Sequence, residues 1–220
     1  METTRSTPSF RKRLAVCLFS ITLMALGVAL TTRANLGTTP ISALPYVASL
    51  GFRPSIGFFT ILRNLLLVAI QTIILRKNSP RAQLLQIPVS CLFGFCIDMW
   101  MYLLPDFGTV HYAARLTILA SGTMLLALGV YLCICADLIM MAGDAAVKVL
   151  SAISQKEFGK LRIVFDVTMV ILATTLSFLL FKDLRGIGGG TVLSALFVGF
   201  FIKQFHTLRT RLAPAMDRRR

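Results

Sequence analysis

Apolar residues fall in long runs along this chain, separated by short polar segments. The runs are Leu14 to Thr32, Ile56 to Leu75, Leu84 to Leu104, Leu116 to Ala136, Ile163 to Phe181 and Gly189 to Phe205. Each lies near the ~20 residues that cross a bilayer as helix, the one open-chain element whose backbone polar groups are all satisfied without water. The pattern predicts an all-α polytopic membrane protein with about six transmembrane helices in a single domain, 1–220. The first run follows Arg11-Lys12-Arg13, as a signal peptide would, but its length and the five runs behind it predict a retained helix.

Composition agrees with lipid as the solvent. Hydrophobic residues make up 56% and charged residues 15% of the chain, and the mean hydropathy is +0.78, outside the balance of soluble domains. A net charge of +14 invites comparison with nucleic-acid-binding proteins. Here the charge lies in tails and loops between apolar runs rather than on one folded surface, so no nucleic-acid partner is expected.

The lysines and arginines instead orient the chain. With the N-terminus inside, seventeen of the 23 fall on inner segments, in four groups: Arg5 to Arg13, Arg76 to Arg81, Lys148 to Arg162 and Lys203 to Arg220. Five fall outside, Arg33, Arg53, Arg115, Lys182 and Arg185, and Arg63 lies within a run. The positive-inside rule then puts both termini in the cytoplasm. The basic C-terminal tail holds the last helix in place or touches anionic lipid.

Two segments match at an offset of 102 residues: LMALGVALTTRANL at 23–36 and LLALGVYLCICADL at 125–138, identical at eight of fourteen positions. The same offset sets Ser42 against Asp144 and Asn64 against Asp166. Three residues further on, Ser90-x-x-x-Gly94 meets Ala195-x-x-x-Gly199, both small-residue faces suited to close helix packing and able to support a homodimer. Repeat 1 covers about 12–105 and repeat 2 about 113–208, between short tails at 1–11 and 209–220. Three spans per repeat is an odd number, so the second copy crosses the membrane upside down, as the inverted repeats of secondary transporters do. An old duplication retained in a protein of another function is the alternative.

After its first span each repeat has a polar break and a short apolar stretch, ANLGTTP then ISALPYVASL, and ADLIMMAGD then AAVKVLSAIS. Ten residues cannot span a bilayer, so these are expected to be re-entrant half-helices, with Thr39 as N-cap before Pro40 and Asp144 as N-cap after Gly143. Amphipathic helices lying flat on the membrane are the alternative. A half-helix N-terminus inside the membrane suits an anionic group, to which Arg33 would add charge in the first copy; in the second, Asp144 at that end favours a cation, a proton or nothing.

Polar groups within runs must face the interior and find partners. Arg63 and Asp98 share a depth of roughly 10 Å at ~1.5 Å per residue and are expected to form a buried ion pair. Asp137, Asp144 and Asp166 are expected to form a titratable cluster of the kind proton-coupled carriers hold. Alternatively, Asp166 tethers the 137–161 segment through Lys160 or Arg162. The five cysteines, Cys17, Cys91, Cys96, Cys133 and Cys135, read as small core residues, and with His111 and His206 they offer no metal-ligand spacing. No nucleophile–base pair, P-loop or HExxH motif is present, so neither an enzyme nor a cofactor is expected.

Three stretches, GVALTTRANLGTTPISALPY, EFGKLRIVFDVTMVILA and GIGGGTVLSALFVGFFIK, resemble the YczE/YyaS/YitT family of small bacterial membrane proteins. The resemblance implies an inner-membrane bundle of five or six helices in a family whose activity is largely unassigned. The similar positions are Ala34, Leu36, Gly37, Pro40, Asp166, Gly190 and Thr191; Arg33 and Arg63 depart from the pattern.

These readings converge on a small-solute transporter whose site lies between the breaks at 35–40 and 137–144. Arg33, Asn35, Thr39, Pro40 and Asn64 are its candidate contacts on one side, and Asp137, Asp144 and Asp166 on the other. The partners expected are membrane lipids and a small-molecule or ion substrate. The rival is a non-transporting accessory protein that assists a membrane-associated partner; a lipid-modifying enzyme is a third reading.

Overall fold

The computed structural model describes residues 9–75, 83–198, 200, 201 and 204, and among them all regular structure is helical. The helices are α1 (Phe10–Arg33), α2 (Pro40–Gly51), α3 (Ile56–Leu75), α4 (Gln86–Leu103), α5 (Tyr112–Ala136), α6 (Ala142–Ser154), α7 (Phe158–Phe181) and α8 (Gly189–Val198). Five of them, α1, α3, α4, α5 and α7, are long and apolar enough to cross a membrane. The sixth apolar run begins as α8, and part of its continuation to Phe205 lies outside the described residues, as do most of both expected tails and the basic 76–82 segment.

Helix starts recur at the spacing seen in the sequence. Those of α5, α6 and α7 follow those of α1, α2 and α3 by 102 residues each, and α8 follows α4 by 103. The packing repeats too: α1 lies along α5, α2 sits on α7, and α6 sits on α3.

The α1–α5 crossing is antiparallel and close. A Cβ added at Gly27 would stand 2.6 Å from the Leu126 nitrogen and 2.7 Å from the Gly122 carbonyl oxygen. One at Gly129 would strike Met24 and stand 2.9 Å from the Ser20 carbonyl oxygen. Each contact is the other's counterpart at the 102-residue offset. Without side chains at these two positions the backbones approach closely, and in lipid such packing replaces the hydrophobic drive. Around the crossing, Ile21, Ala25, Val28, Ile97, Leu126 and Val130 form the main core.

The 35–40 break is clamped by the GIGGGT stretch. Gly190 donates its N–H to the Leu36 carbonyl at 2.9 Å, and a Cβ at Gly188 or Gly190 would lie 2.6 Å from that same oxygen. The Ser90–Gly94 face is occupied within the chain: Ser90 is buried, and a Cβ on Gly94 would stand 2.7 Å from the Gly57 oxygen of α3. It therefore serves the α3–α4 contact rather than lying free for a second copy. Cys17, Cys96 and Cys133 are buried, whereas Cys91 is exposed and Cys135 lies in between.

Candidate functional site

Both short helices are packed into the bundle by part of their surface. Along α2, Pro40, Ser42, Ala43, Pro45, Val47 and Ala48 are buried; along α6, Ala142, Gly143, Ala145, Ala146 and Val147 are buried. These faces pack against α7 and α3 respectively. The N-termini of both helices point into a common cavity of about 500 Å³, which receives Thr39, Pro40, Ile41 and Ser42 from α2 and its cap and Met141, Gly143 and Asp144 from α6 and its cap. Arg63 and Asn64 on α3 and Arg162 and Asp166 on α7 complete its polar wall. Met24, Val28, Phe93, Leu126, Val130 and Ile163 supply the apolar one.

On the α3 side the polar groups are deeply buried. Arg63, 8% exposed, donates from Nε and Nη2 to Asn64 Oδ1 at 3.2 and 2.7 Å and from Nη1 to the Ile41 carbonyl. That carbonyl is available because Pro45, four residues on in α2, has no N–H to give it. Asn64 and Thr39 are each 1% exposed, yet Asn64 Nδ2 and Thr39 Oγ1 have no hydrogen-bond partner. Thr39 is the N-cap residue of α2 with Pro40 first in the helix, as expected, but its hydroxyl makes no capping bond.

On the α7 side, Arg162 bridges two carboxylates, pairing through Nη1 with Asp144 and through Nε with Asp166 Oδ2 at 3.4 Å. Asp144 is not the N-cap of α6. Met141 takes that place in extended conformation, and Asp144 is the third residue of the helix, within the first turn, where it still faces the positive end of the helix dipole.

Three further expectations are corrected. Arg63 and Asp98 do not pair: Asp98 accepts from Ser55 Oγ at 2.6 Å and the Gly57 N–H at 2.8 Å, at the start of α3. The free N–H groups of a helix's first turn attract a carboxylate strongly, and the glycine contact between α3 and α4 brings Asp98 within reach of them. Asp137 does not line the cavity with Asp144 and Asp166, although with Asp144 it lines an adjoining pocket of about 310 Å³. It ends α5 in the left-handed conformation (φ 46°) and faces Arg13, with its own side chain exposed. Arg33 and Asn35 do not line the cavity either. They line a wider vestibule of about 1060 Å³, where Arg33 donates to the Met101 carbonyl.

The vestibule and the cavity share no lining residue. Between them runs the 35–40 break: Asn35, Leu36 and Gly37 face the vestibule, and Thr39 and Pro40 face the cavity. Thr38 is fully buried between them, its hydroxyl 3.1 Å from that of Thr32, and Ser194 of α8 is fully buried on its other side.

Two groups that sequence reasoning passed over organise this frame. Arg13 donates from Nε to the Ala136 carbonyl at 2.8 Å and from Nη2 to that of Asp137; Arg115 donates from Nε to the Ala34 carbonyl at 2.8 Å and from Nη2 to that of Asn35. Asn35 and Asp137 share the left-handed backbone (φ 53° and 46°) that ends a helix and leaves its last carbonyls open. The 102-residue offset, carried ten residues upstream of the matched segment, sets Arg13 on Arg115 and would have found the pair.

Helices of this length and hydropathy around a polar interior define a polytopic helical membrane protein. The chain belongs to the family of unknown function DUF6198, which it matches over residues 11–207. It is also similar to the uncharacterized protein YyaS of Bacillus subtilis (strain 168), with 24% identity over 202 residues, covering 90% of this chain and 94% of that one. No solved structure matches it.

Proposed function

We propose that this protein is a small-solute transporter of the bacterial inner membrane, built as two inverted repeats with both termini in the cytoplasm. The observation that carries the reading is the convergence of two half-helix N-termini, each ending a break, on one cavity whose wall holds buried polar atoms without partners. Discontinuous helices that meet between inverted repeats are how secondary transporters present backbone dipoles to a solute. The antiparallel α1–α5 crossing and its paired glycine contacts support the inversion.

In this reading the vestibule opens to the periplasm, the cavity is reached from the cytoplasm, and the 35–40 break with Ser194 is the barrier between them. Access alternates when the two halves rock about the α1–α5 crossing. Asp166, bridged to Asp144 through Arg162, is the titratable group that couples solute to a cation or proton.

Flux into liposomes carrying the purified protein tests this, with Asp166→Asn compared in the same assay and in the host strain. Loss of flux in the variant is expected. No flux of any candidate solute, together with an unchanged host phenotype, would reject the proposal in favour of an accessory protein. Orientation is checked by labelling single cysteines with a membrane-impermeant maleimide in a Cys-free background: Gly108→Cys should react from outside intact cells, and Lys156→Cys only after lysis.

A further inference from the structure

Among the described residues, the only ion pairs of the cavity are those Arg162 makes with Asp144 and Asp166. Two carboxylates on one guanidinium leave that corner with one negative charge in excess. Arg63, in the opposite wall, has no carboxylate within ion-pair distance and is held by a carbonyl and an amide oxygen alone. A cation buried at membrane depth with neutral partners only is costly unless an anion joins it. Beside it stand Asn64 Nδ2, a donor without an acceptor, and the unpartnered Thr39 hydroxyl, both 99% buried on the cavity wall. The positive end of the α2 dipole lies at the same place.

We infer, on the transporter reading above, that the solute is a small monoanion with an apolar body. Its anionic group, a carboxylate or an oxyanion of similar size, sits among Arg63, Asn64, Thr39 and the first turn of α2. Arg63 holds two carbonyl-type acceptors and keeps its charge for the solute; Asn64 accepts from Arg63 through Oδ1 and so turns Nδ2 toward the solute. The hydrocarbon part lies against Met24, Val28, Phe93, Leu126, Val130 and Ile163. Over the whole cavity Arg63 and Arg162 balance Asp144 and Asp166, so the anionic group is drawn by the local field of Arg63, which has no ion-pair partner, and of the α2 N-terminus. A second negative charge would face the excess charge at Asp166 and Asp144, so dianions are disfavoured.

The test is calorimetric titration of the purified full-length protein with hexanoate and benzoate, against adipate, hexanol and hexylammonium. Saturable binding of the monoanions is expected, with affinity lowered about tenfold or more by Arg63→Gln and by Asn64→Leu, as for loss of a hydrogen bond to a charged group. Asn64→Asp gives Arg63 a permanent counter-ion. It should abolish monoanion binding while keeping the fold, so it decides the matter if Arg63→Gln is not recovered.

Binding of hexanol or hexylammonium as tight as that of hexanoate, monoanion binding unmoved by these variants, or no saturable binding of either monoanion would overturn the inference. Liposome flux separates it from the reading beneath it. A neutral or cationic solute moved in an Asn64-dependent way leaves the transporter standing and rejects the anion site; a monoanion bound but not moved does the reverse. Displacement of hexanoate by phosphatidylglycerol, lost in Asn64→Asp, would keep the anion site and assign its occupant to lipid, against transport.

Discussion

Arg13 and Arg115 stand 102 residues apart, and each donates from Nε at 2.8 Å to a helix-terminal carbonyl of the other half, Ala136 and Ala34 respectively. Each guanidinium thus closes the C-terminal end of the helix antiparallel to its own. Cationic donors at a helix C-terminus satisfy open carbonyls and oppose the negative end of the dipole. The exchange ties α1 and α5 together at both ends, with the glycine crossing between. Arg115→Ala and Arg13→Ala are expected to destabilise by similar amounts, about 1–2 kcal/mol each. The two sites lie at opposite ends of long helices, so the double variant should be close to additive. Thermal unfolding in detergent measures all three.

Gly27 and Gly129 are predicted to tolerate no side chain without a shift of the crossing, not even the methyl of alanine. The first Cβ already falls 2.6 Å from the Leu126 backbone nitrogen, and backbone cannot rotate out of the way. Gly27→Val and Gly129→Val should each cost at least the ~1–3 kcal/mol of core overpacking, seen as lower yield of folded protein and a lower unfolding midpoint. Gly159→Val, where an added Cβ meets nothing within 4 Å, is the control and should unfold as the wild type does.

Removing the bridge should cost more than removing one of its ends. Arg162→Gln leaves Asp144 and Asp166 facing each other without a cation, an expected loss on the order of 3 kcal/mol. Asp166→Asn leaves the Arg162–Asp144 pair in place, and a loss of about 1 kcal/mol is expected. Equal losses for the two variants in thermal unfolding would contradict the bridging role.

Pro45 holds Arg63 in place indirectly, by leaving the Ile41 carbonyl unclaimed within α2. Pro45→Ala restores an N–H that can bond this carbonyl inside the helix. The unfolding midpoint should stay level or rise, since helix-interior proline costs ~3 kcal/mol, while hexanoate affinity falls because the guanidinium loses its tether. A lower midpoint with unchanged hexanoate affinity would show that Pro45 serves the packing of α2 alone.

Much of this arrangement was legible along the chain, because lipid imposes a length and a polarity that each helix must meet by itself. The start of α3 at Ile56 and the ends of α3, α5 and α7 at Leu75, Ala136 and Phe181 coincide with the limits of apolar runs. The start of α7 does not. Its apolar run begins at Ile163, but the helix starts at Phe158, after Glu157 as the N-cap residue. The half-helices were legible from Pro40 and from their length.

The amino-acid sequence by itself determined the helical membrane architecture, the 102-residue spacing, the two breaks, and the presence of Thr39, Pro40, Asn64, Asp144 and Asp166 at the candidate site. These follow from composition and periodicity, which act locally. Only the tertiary structure decided the partners. Depth along a helix put Arg63 level with Asp98 but said nothing about which way either faces. The first turn of α3 took Asp98, the proline-freed carbonyl of Ile41 took Arg63, and Asp137 faces Arg13 outside the cavity that Asp144 and Asp166 line. A charged group in lipid goes to whichever donor or acceptor the packing leaves unsatisfied within reach, and that is a property of the assembled bundle.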